Sequence, residues 1–198
     1  MAYETLIYRK NSGTGRITIN RPESMNAITP GMLAELKTAV LDAGMDNYVR
    51  VIVLTGAGKA FCAGVDLKSL GDRRLERGKV GDTHAKWALR PTWGMSARLP
   101  RRVGFLKAKE LSFTADATPA IEAERIGLVN MAVPAEKLEE SLQTMTKKIM
   151  ANSQQSIAAY KHLYNTNEGM QLDKSLELEF GSEFEITDTE ERVAQFRK

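Results

Sequence analysis

The stretch that decides the fold runs from residue 51 to residue 68 and reads Val-Ile-Val-Leu-Thr-Gly-Ala-Gly-Lys-Ala-Phe-Cys-Ala-Gly-Val-Asp-Leu-Lys. It begins inside a short apolar run, Val49 to Thr55, which is typical of a strand buried on both faces of a parallel sheet. Gly56-Ala57-Gly58 ends that strand, and a loop of small residues follows. We therefore expect a strand, a glycine turn, a loop and then a helix that Asp66 opens.

The loop ahead of that helix is suited to close approach of a ligand to the backbone, because Ala63 and Gly64 are small. Amides just before a helix N-terminus have no acceptor within the helix and lie at the positive end of its dipole. Such amides favour either a phosphate or a carbonyl oxygen that gains negative charge during a reaction. The residues alone leave both uses open, as well as a plain connection that binds nothing.

Two short strands and a helix are predicted before this stretch. Thr5 to Tyr8 and Arg16 to Asn20 read as strands around a turn whose glycines allow a positive φ. Thr29 followed by Pro30 predicts a helix start, since a hydroxyl caps the first turn and proline needs no donor there. Apolar residues at helical spacing mark one face of that helix, namely Met32, Leu33, Leu36, Val40 and Leu41. Strand–helix–strand order of this kind predicts an α/β fold with parallel pairing.

The second half of the chain is predicted to be mostly helical. The predicted helices cover residues 105–113, 119–126, 134–151, 154–167 and 171–185, and a last short helix follows Asp188. A strand-like run over residues 127–133 interrupts them. Because the chain has no internal repeat and no Ser/Gly-rich linker, we expect one compact unit.

Composition excludes several classes of function. The 28 Lys and Arg residues against 25 Asp and Glu give a net charge of +3, too mild and too diffuse to predict nucleic-acid binding. The longest aliphatic run is far too short to cross a membrane. Cys62 is the single cysteine and the two histidines are far apart in sequence, so neither a disulfide nor a metal site is expected. The first residues carry an early acid and no apolar run, so we expect a cytoplasmic protein.

Five stretches, in order along the chain, resemble the crotonase (enoyl-CoA hydratase/isomerase) superfamily. Residues 58–67, Gly-Lys-Ala-Phe-Cys-Ala-Gly-Val-Asp-Leu, resemble its signature loop. The other four are residues 20–27, Asn-Arg-Pro-Glu-Ser-Met-Asn-Ala; residues 91–100, Pro-Thr-Trp-Gly-Met-Ser-Ala-Arg-Leu-Pro; residues 123–130, Ala-Glu-Arg-Ile-Gly-Leu-Val-Asn; and Asn152-Ser153 together with residues 187–196. Each match alone is moderate, but five in the family's order identify the chain as a member.

The resemblance implies a fold, a ligand and a set of site residues. The family folds as a spiral of ββα turns, here over residues 1–134, with C-terminal helices, here residues 135–198, that pack subunits into trimers or hexamers. Its members bind an acyl-CoA thioester as substrate, without a further cofactor, and stabilise an enolate-like oxyanion with two backbone N–H groups. Carried over by position, Ala63 supplies the first donor, and Gly64, Val65 and Asp66 line the thioester site. Met25 and Ala27 lie beside the nucleotide part of coenzyme A.

The chain departs from the family pattern near residues 81–82, where several dozen family residues are missing. In the family this segment carries the second oxyanion donor, on a Gly-Gly turn, and the first of two acid–base carboxylates. His84 stands where the second carboxylate is expected, and an imidazole can transfer a proton near neutral pH; a surface or supporting histidine is the competing interpretation. The resemblance therefore implies hydration or double-bond shift of a 2-enoyl-CoA. The alternative is a catalytically impaired or inactive chain that binds CoA esters or joins a family oligomer.

Overall fold

The computed structural model of the chain describes residues 3–64, 66, 79–91 and 94–195. In these ranges the strands are β1 (Leu6–Asn11), β2 (Thr14–Ile19), β3 (Val51–Gly56), β4 (Lys79–Val80) and β5 (Thr118–Pro119). The α-helices in the same ranges are α1 (Pro30–Met45), α2 (Met95–Val103), α3 (Phe105–Thr114), α4 (Ala120–Arg125), α5 (Leu138–Ala151), α6 (Gln154–Asn167), α7 (Leu172–Gly181) and α8 (Thr189–Gln195). Short 3-10 turns cover Pro22–Ser24, Ala85–Trp87 and Ala135–Lys137.

A three-stranded sheet in the order β1-β2-β3 forms the first half of the fold. β1 and β2 are antiparallel and are joined by the two-residue turn Ser12-Gly13. Both turn residues have a positive φ, 47° and 74°, the combination whose twist matches that of the flanking strands. β2 pairs in parallel with β3, with Thr14 opposite Val51, which confirms the prediction of a hairpin followed by a parallel crossover.

Helix α1 is the crossover, and it begins where the sequence predicts. The Thr29 hydroxyl accepts the Met32 N–H at 3.2 Å, and Pro30 occupies the first turn. The helix packs on the sheet through a cluster of fully or nearly fully buried residues, namely Leu6, Ile17, Ile19, Met32 and Ala39. Burial of these side chains stabilises the sheet–helix pair by about 1.5–3 kcal/mol for each large aliphatic residue.

The prediction of burial on both faces of β3 is wrong, and the apolar face predicted on α1 is buried only in part, through Met32 and Leu36. On α1 the buried residues are Met32, Ala39 and Ala43, whereas Leu41 remains 52% exposed. Strand β3 is not buried on both faces, since Leu54 is 41% exposed. Among the described residues β3 is one of the two edge strands of its sheet, so its side chains on the α1 side have a neighbouring strand on one flank only.

The second half is built on a separate small core. Residues Leu99, Ala108 and Leu111 bury the contact between α2 and α3, and the short strands β4 and β5 pair antiparallel beside it. The predicted strand over residues 127–133 is absent from the structure, which has turns and bends there. The N–H groups of three consecutive residues, Gly127, Leu128 and Val129, turn back to carbonyls of α4 and are therefore not available for a strand ladder.

Candidate functional site

Two loops run side by side and bring most of the predicted site residues together. The Ala63 N–H donates to the Met25 carbonyl at 3.0 Å. The Ile28 N–H donates to the Gly64 carbonyl at 2.7 Å, and the Asp66 N–H donates to the Ile28 carbonyl at 2.9 Å. These three hydrogen bonds fix the loop at residues 63–66, which is predicted to line the thioester site, against the turn at residues 20–28, which is predicted to contact the nucleotide. Ala27 in that turn is buried.

The backbone donors of this loop are not equally available. The Ala63 N–H, which the resemblance implies as the oxyanion donor, is already bonded to Met25 and is committed to the fold. The Gly64 N–H has a poorer acceptor, the Cys62 sulfur, at 3.3 Å. Gly64 has a φ of +89°, and no described atom lies within 4 Å of the place where a Cβ would project. Val65 lies outside the described residues.

Asn26 holds the nucleotide-contacting turn to the end of β3. Its side chain is fully buried, and its Oδ1 accepts the Arg21 N–H at 2.9 Å. Its Nδ2 donates to the carbonyls of Ala57 and Ala60 at 2.9 and 2.7 Å. Met25 and Asn26 both have a positive φ, 52° and 57°, a strained conformation that persists only when the surroundings over-determine it. The Asn26 hydrogen bonds supply that determination.

The close approach of the two segments also depends on a glycine at the end of β3. A Cβ on Gly56 would lie 2.3 Å from the Phe61 carbonyl oxygen and 2.7 Å from Asn26 Nδ2. No side chain fits in that space. Gly56 therefore allows the loop to fold back over the strand that precedes it.

Arg21 and Asp66 form an ion pair across the two loops. Arg21 Nη2 lies 2.9 Å from Asp66 Oδ2, and both side chains are largely shielded from solvent. Arg21 Nη1 also donates to the Ala27 carbonyl. The Asp66 carboxylate, predicted to line the thioester site, thus contributes by holding the loop to the turn at residues 21–27.

His84 belongs to a second group of contacts and is the residue just before the 3-10 turn Ala85–Trp87. Its Nδ1 lies 2.6 Å from Asp82 Oδ1, and the Ser112 hydroxyl donates to Asp82 Oδ2 at 2.9 Å. Burial raises the pKa of the Asp82 carboxyl, but hydrogen bonds from His84 and Ser112 outweigh it, and the pKa lies below its ordinary value. An ionised carboxylate at this position can orient the imidazole.

Sequence reasoning assigned no individual role to four residues that organise these groups, namely Arg21, Asn26, Asp82 and Ser112. For Asn26 a signal exists, because asparagine tolerates a positive φ better than other non-glycine residues. Ser112 has no such signal, since its partner Asp82 lies thirty residues away in the chain.

A separate cleft of about 420 Å³ lies between the β1–β2 hairpin and α5. Its charged lining residues are Arg9, Arg16, Glu139 and Lys147, and Arg16 pairs with Glu139 at 2.7 Å. None of the predicted site residues lines it. We therefore place the candidate site at the loops rather than in this cleft.

In the described part of the chain, no three His, Cys, Asp or Glu side chains are grouped as metal ligands. No helix in that part is long and apolar enough to span a bilayer.

The family model for enoyl-CoA hydratase/isomerase matches residues 9–87 and 76–196. The two matched segments meet at residues 76–87, the region in which the sequence predicts a missing family segment. The crotonyl-CoA hydratase of Syntrophomonas wolfei is 30% identical over 251 positions that take in 99% of this chain and 96% of that protein. Because 251 positions exceed the 198 residues of the chain, this alignment opens gaps in the chain.

Solved structures of enoyl-CoA hydratases also resemble this chain. The crystal structure of an enoyl-CoA hydratase from Mycobacterium avium, 30% identical, superposes with a TM-score of 0.77 over 89% of this chain and 94% of that chain. An enoyl-CoA hydratase subunit from Geobacillus kaustophilus superposes with a TM-score of 0.87 over 98% of this chain and 95% of that chain, and at 22% identity it establishes the fold alone. The predicted crotonase-like α/β fold with a C-terminal helical region is confirmed. With its fold and most of its length matched, the chain belongs to the enoyl-CoA hydratase/isomerase family, and the prediction of an enzyme of that type is confirmed.

Proposed function

We propose that the chain binds a 2-enoyl-CoA thioester, without a further cofactor, and adds water across its double bond or shifts that bond. The observation that carries the proposal is the Gly64 N–H, whose acceptor among the described residues is the Cys62 sulfur. A thioester oxygen that becomes negative is a much better acceptor than a thiol sulfur. Coenzyme A then lies along the turn that contains Met25 and Ala27.

Proton transfer in this proposal is the task of His84. For hydration, its imidazole takes a proton from water while the water oxygen bonds to C3, the C2=C3 electron pair forms the C1=C2 bond of an enolate, and the carbonyl pair moves onto the thioester oxygen. The imidazolium then returns the proton to C2, so the net change is one water added and the histidine is regenerated. For a bond shift, the same group removes a proton from C4 and returns one to C2.

A binding role with little catalysis is the second candidate, and one observation favours it. The sequence has no Gly-Gly-x-x-Glu turn, which in the family supplies a second N–H donor and a carboxylate. Loss of one such donor typically lowers the rate by about 100- to 1000-fold. We therefore expect turnover well below that of the crotonyl-CoA hydratase of Syntrophomonas wolfei assayed beside it.

Crotonyl-CoA hydration, followed through the absorbance of the conjugated thioester, tests the proposal. We expect slow but measurable turnover, and His84→Ala should reduce it by about 100- to 10,000-fold because the proton-transfer group is removed. His162→Ala is the matched control, since that histidine is exposed on α6, where it packs edge-on against Phe184.

An equal loss of hydration rate in both histidine variants, or no loss in His84→Ala, would show that His84 does not transfer the proton. Acetyl-CoA binding by calorimetry without any crotonyl-CoA turnover would favour the second candidate.

A further inference from the structure

We propose that Asp82 is a positioning residue for His84: it fixes the tautomer and orientation of the imidazole, and Ser112 anchors it to helix α3. This inference rests on the proposed function, because it takes His84 as the group that moves the proton.

The contacts of Asp82 use both oxygens of its carboxylate. Oδ1 meets His84 Nδ1 at 2.6 Å and also receives the His84 backbone N–H at 3.3 Å. Oδ2 receives the Ser112 hydroxyl at 2.9 Å. The Asp82 side chain is 6% exposed and that of His84 is 22% exposed, so the carboxylate lies behind a partly open ring. A short charge-assisted contact in such a shielded place is stronger than one at the surface.

The tautomer follows from the chemistry of the partner. An ionised carboxylate only accepts hydrogen bonds, so the neutral imidazole must carry its proton on Nδ1. The lone pair of the neutral ring is then on Nε2, so Nε2 and not Nδ1 is the basic atom of the ring.

The backbone around the ring is fixed as well. The His84 carbonyl accepts N–H groups from Trp87 and Leu89, at 3.1 and 2.9 Å. Ser112 lies on α3 beside Leu111, which is part of the buried contact between α2 and α3. The Ser112 hydrogen bond therefore ties the position of the imidazole to that small core, and a shift of α3 would be transmitted to the ring.

Nitrogen NMR of the histidine rings tests the proposal directly, because the chain has only two histidines and His162→Gln assigns the second one. At a pH where the ring is neutral, we expect the His84 proton on Nδ1 in the wild-type chain. In Asp82→Ala it should move to Nε2, the tautomer that an unconstrained imidazole prefers. Asp82→Ala should also lower kcat by about 10- to 100-fold with little change in KM, since a mispositioned base slows the chemical step.

Three further variants separate positioning from general damage. Asp82→Asn keeps the side-chain volume but not the charge, and it should lower kcat even if Asp82→Ala fails to fold. Ser112→Ala should retain the Nδ1 proton and lose less activity than either Asp82 variant. Asp116→Asn removes an exposed carboxylate just after α3 and should change neither the tautomer nor kcat.

A proton on Nε2 in the wild-type chain would overturn the proposal, as would wild-type kcat in the Asp82 variants. If the wild-type chain has the Nδ1 proton but does not hydrate crotonyl-CoA, the positioning of the ring is supported and the proposed function fails.

Discussion

The amide of Gly64 has a sulfur as its partner, while the neighbouring amides of Ala63 and Asp66 are bonded to backbone carbonyls. At the scale of the residue, the candidate site therefore depends on a backbone N–H that takes no part in the hydrogen bonds between the two loops. Gly64 is exposed, so a ligand can reach its N–H, and a ligand oxygen would be a better acceptor for that N–H than the Cys62 sulfur.

Gly64→Val should abolish the binding of acetyl-CoA, because the new side chain projects into a space that no described atom occupies and where the thioester is proposed to approach. The substitution also strains the backbone at φ +89°, by about 1–2 kcal/mol for an L-residue in this conformation. Isothermal calorimetry measures the binding, and circular dichroism checks the fold.

Gly169→Val is the matched control for that experiment. Gly169 has a φ of +87° and, like Gly64, no described atom within 4 Å of the point that a Cβ would occupy, but it lies in the link between α6 and α7. Gly169→Val should lower the free energy of unfolding by the same amount and leave the affinity for acetyl-CoA unchanged. Unchanged affinity in Gly64→Val would place the thioester elsewhere.

At the scale of the element, Glu35 joins helix α1 to the start of β1. Its Oε1 accepts the Glu4 N–H at 2.8 Å, and its Oε2 accepts the Thr5 N–H at 2.9 Å together with the Thr5 hydroxyl. The hydroxyl of Thr5 and the two N–H groups lower the pKa of Glu35 from its ordinary value, against a smaller opposing effect of burial.

This pairing predicts a dependence of stability on pH. A carboxyl whose pKa is lower in the folded state contributes stability that is present above its unfolded pKa, near 4.5, and is lost as the pH falls through the folded value. Glu35→Gln should therefore be less stable than the wild-type chain at neutral pH, and the difference should shrink below pH 4.5. Urea unfolding at a series of pH values measures it.

Glu136→Gln, on an exposed 3-10 turn, is the control and should leave the pH profile unchanged. A constant difference between Glu35→Gln and the wild-type chain across the acid range would show that the Glu35 charge contributes nothing to the pairing.

At the scale of the whole molecule, the C-terminal helices leave large apolar side chains in solvent. Phe180 on α7 is 85% exposed, and Leu172 on the same helix and Tyr164 on α6 are nearly as open. Exposed apolar groups in such number indicate an interface between proteins. We propose that residues 135–198 carry an interface between copies of this chain, in a trimer or hexamer.

Light scattering of the purified chain should therefore give the mass of a trimer or hexamer at micromolar concentration. The double variant Leu172→Glu with Phe180→Glu should shift it toward the monomer, because it places charges in the proposed interface. Met45→Glu, at an exposed apolar position on α1, is the control and should leave the mass unchanged. A monomeric wild-type chain would contradict the proposal.

The sequence by itself determined the features that depend on neighbours along the chain. The hairpin, the start of α1 at Thr29-Pro30 and the parallel crossover to β3 all follow from local backbone preference and hydrophobic spacing, and all three are present. The sequence predicts a turn over residues 11–15, whereas the strands extend further and leave only Ser12-Gly13 between them. The predicted helices over residues 105–113 and 154–167 are present for the same reason. Motif order along the chain was likewise enough to identify the family.

Only the tertiary structure decided what each polar and apolar group meets. Spacing could not reveal which part of the apolar face of α1 is buried, because that depends on where the sheet ends at β3. Nor could it reveal that the Met25 carbonyl takes the Ala63 N–H, or that Ser112 reaches the carboxylate of Asp82 from α3. A hydrogen bond forms wherever packing brings a donor and an acceptor together, and residues far apart in sequence acquire that proximity only when their elements have packed.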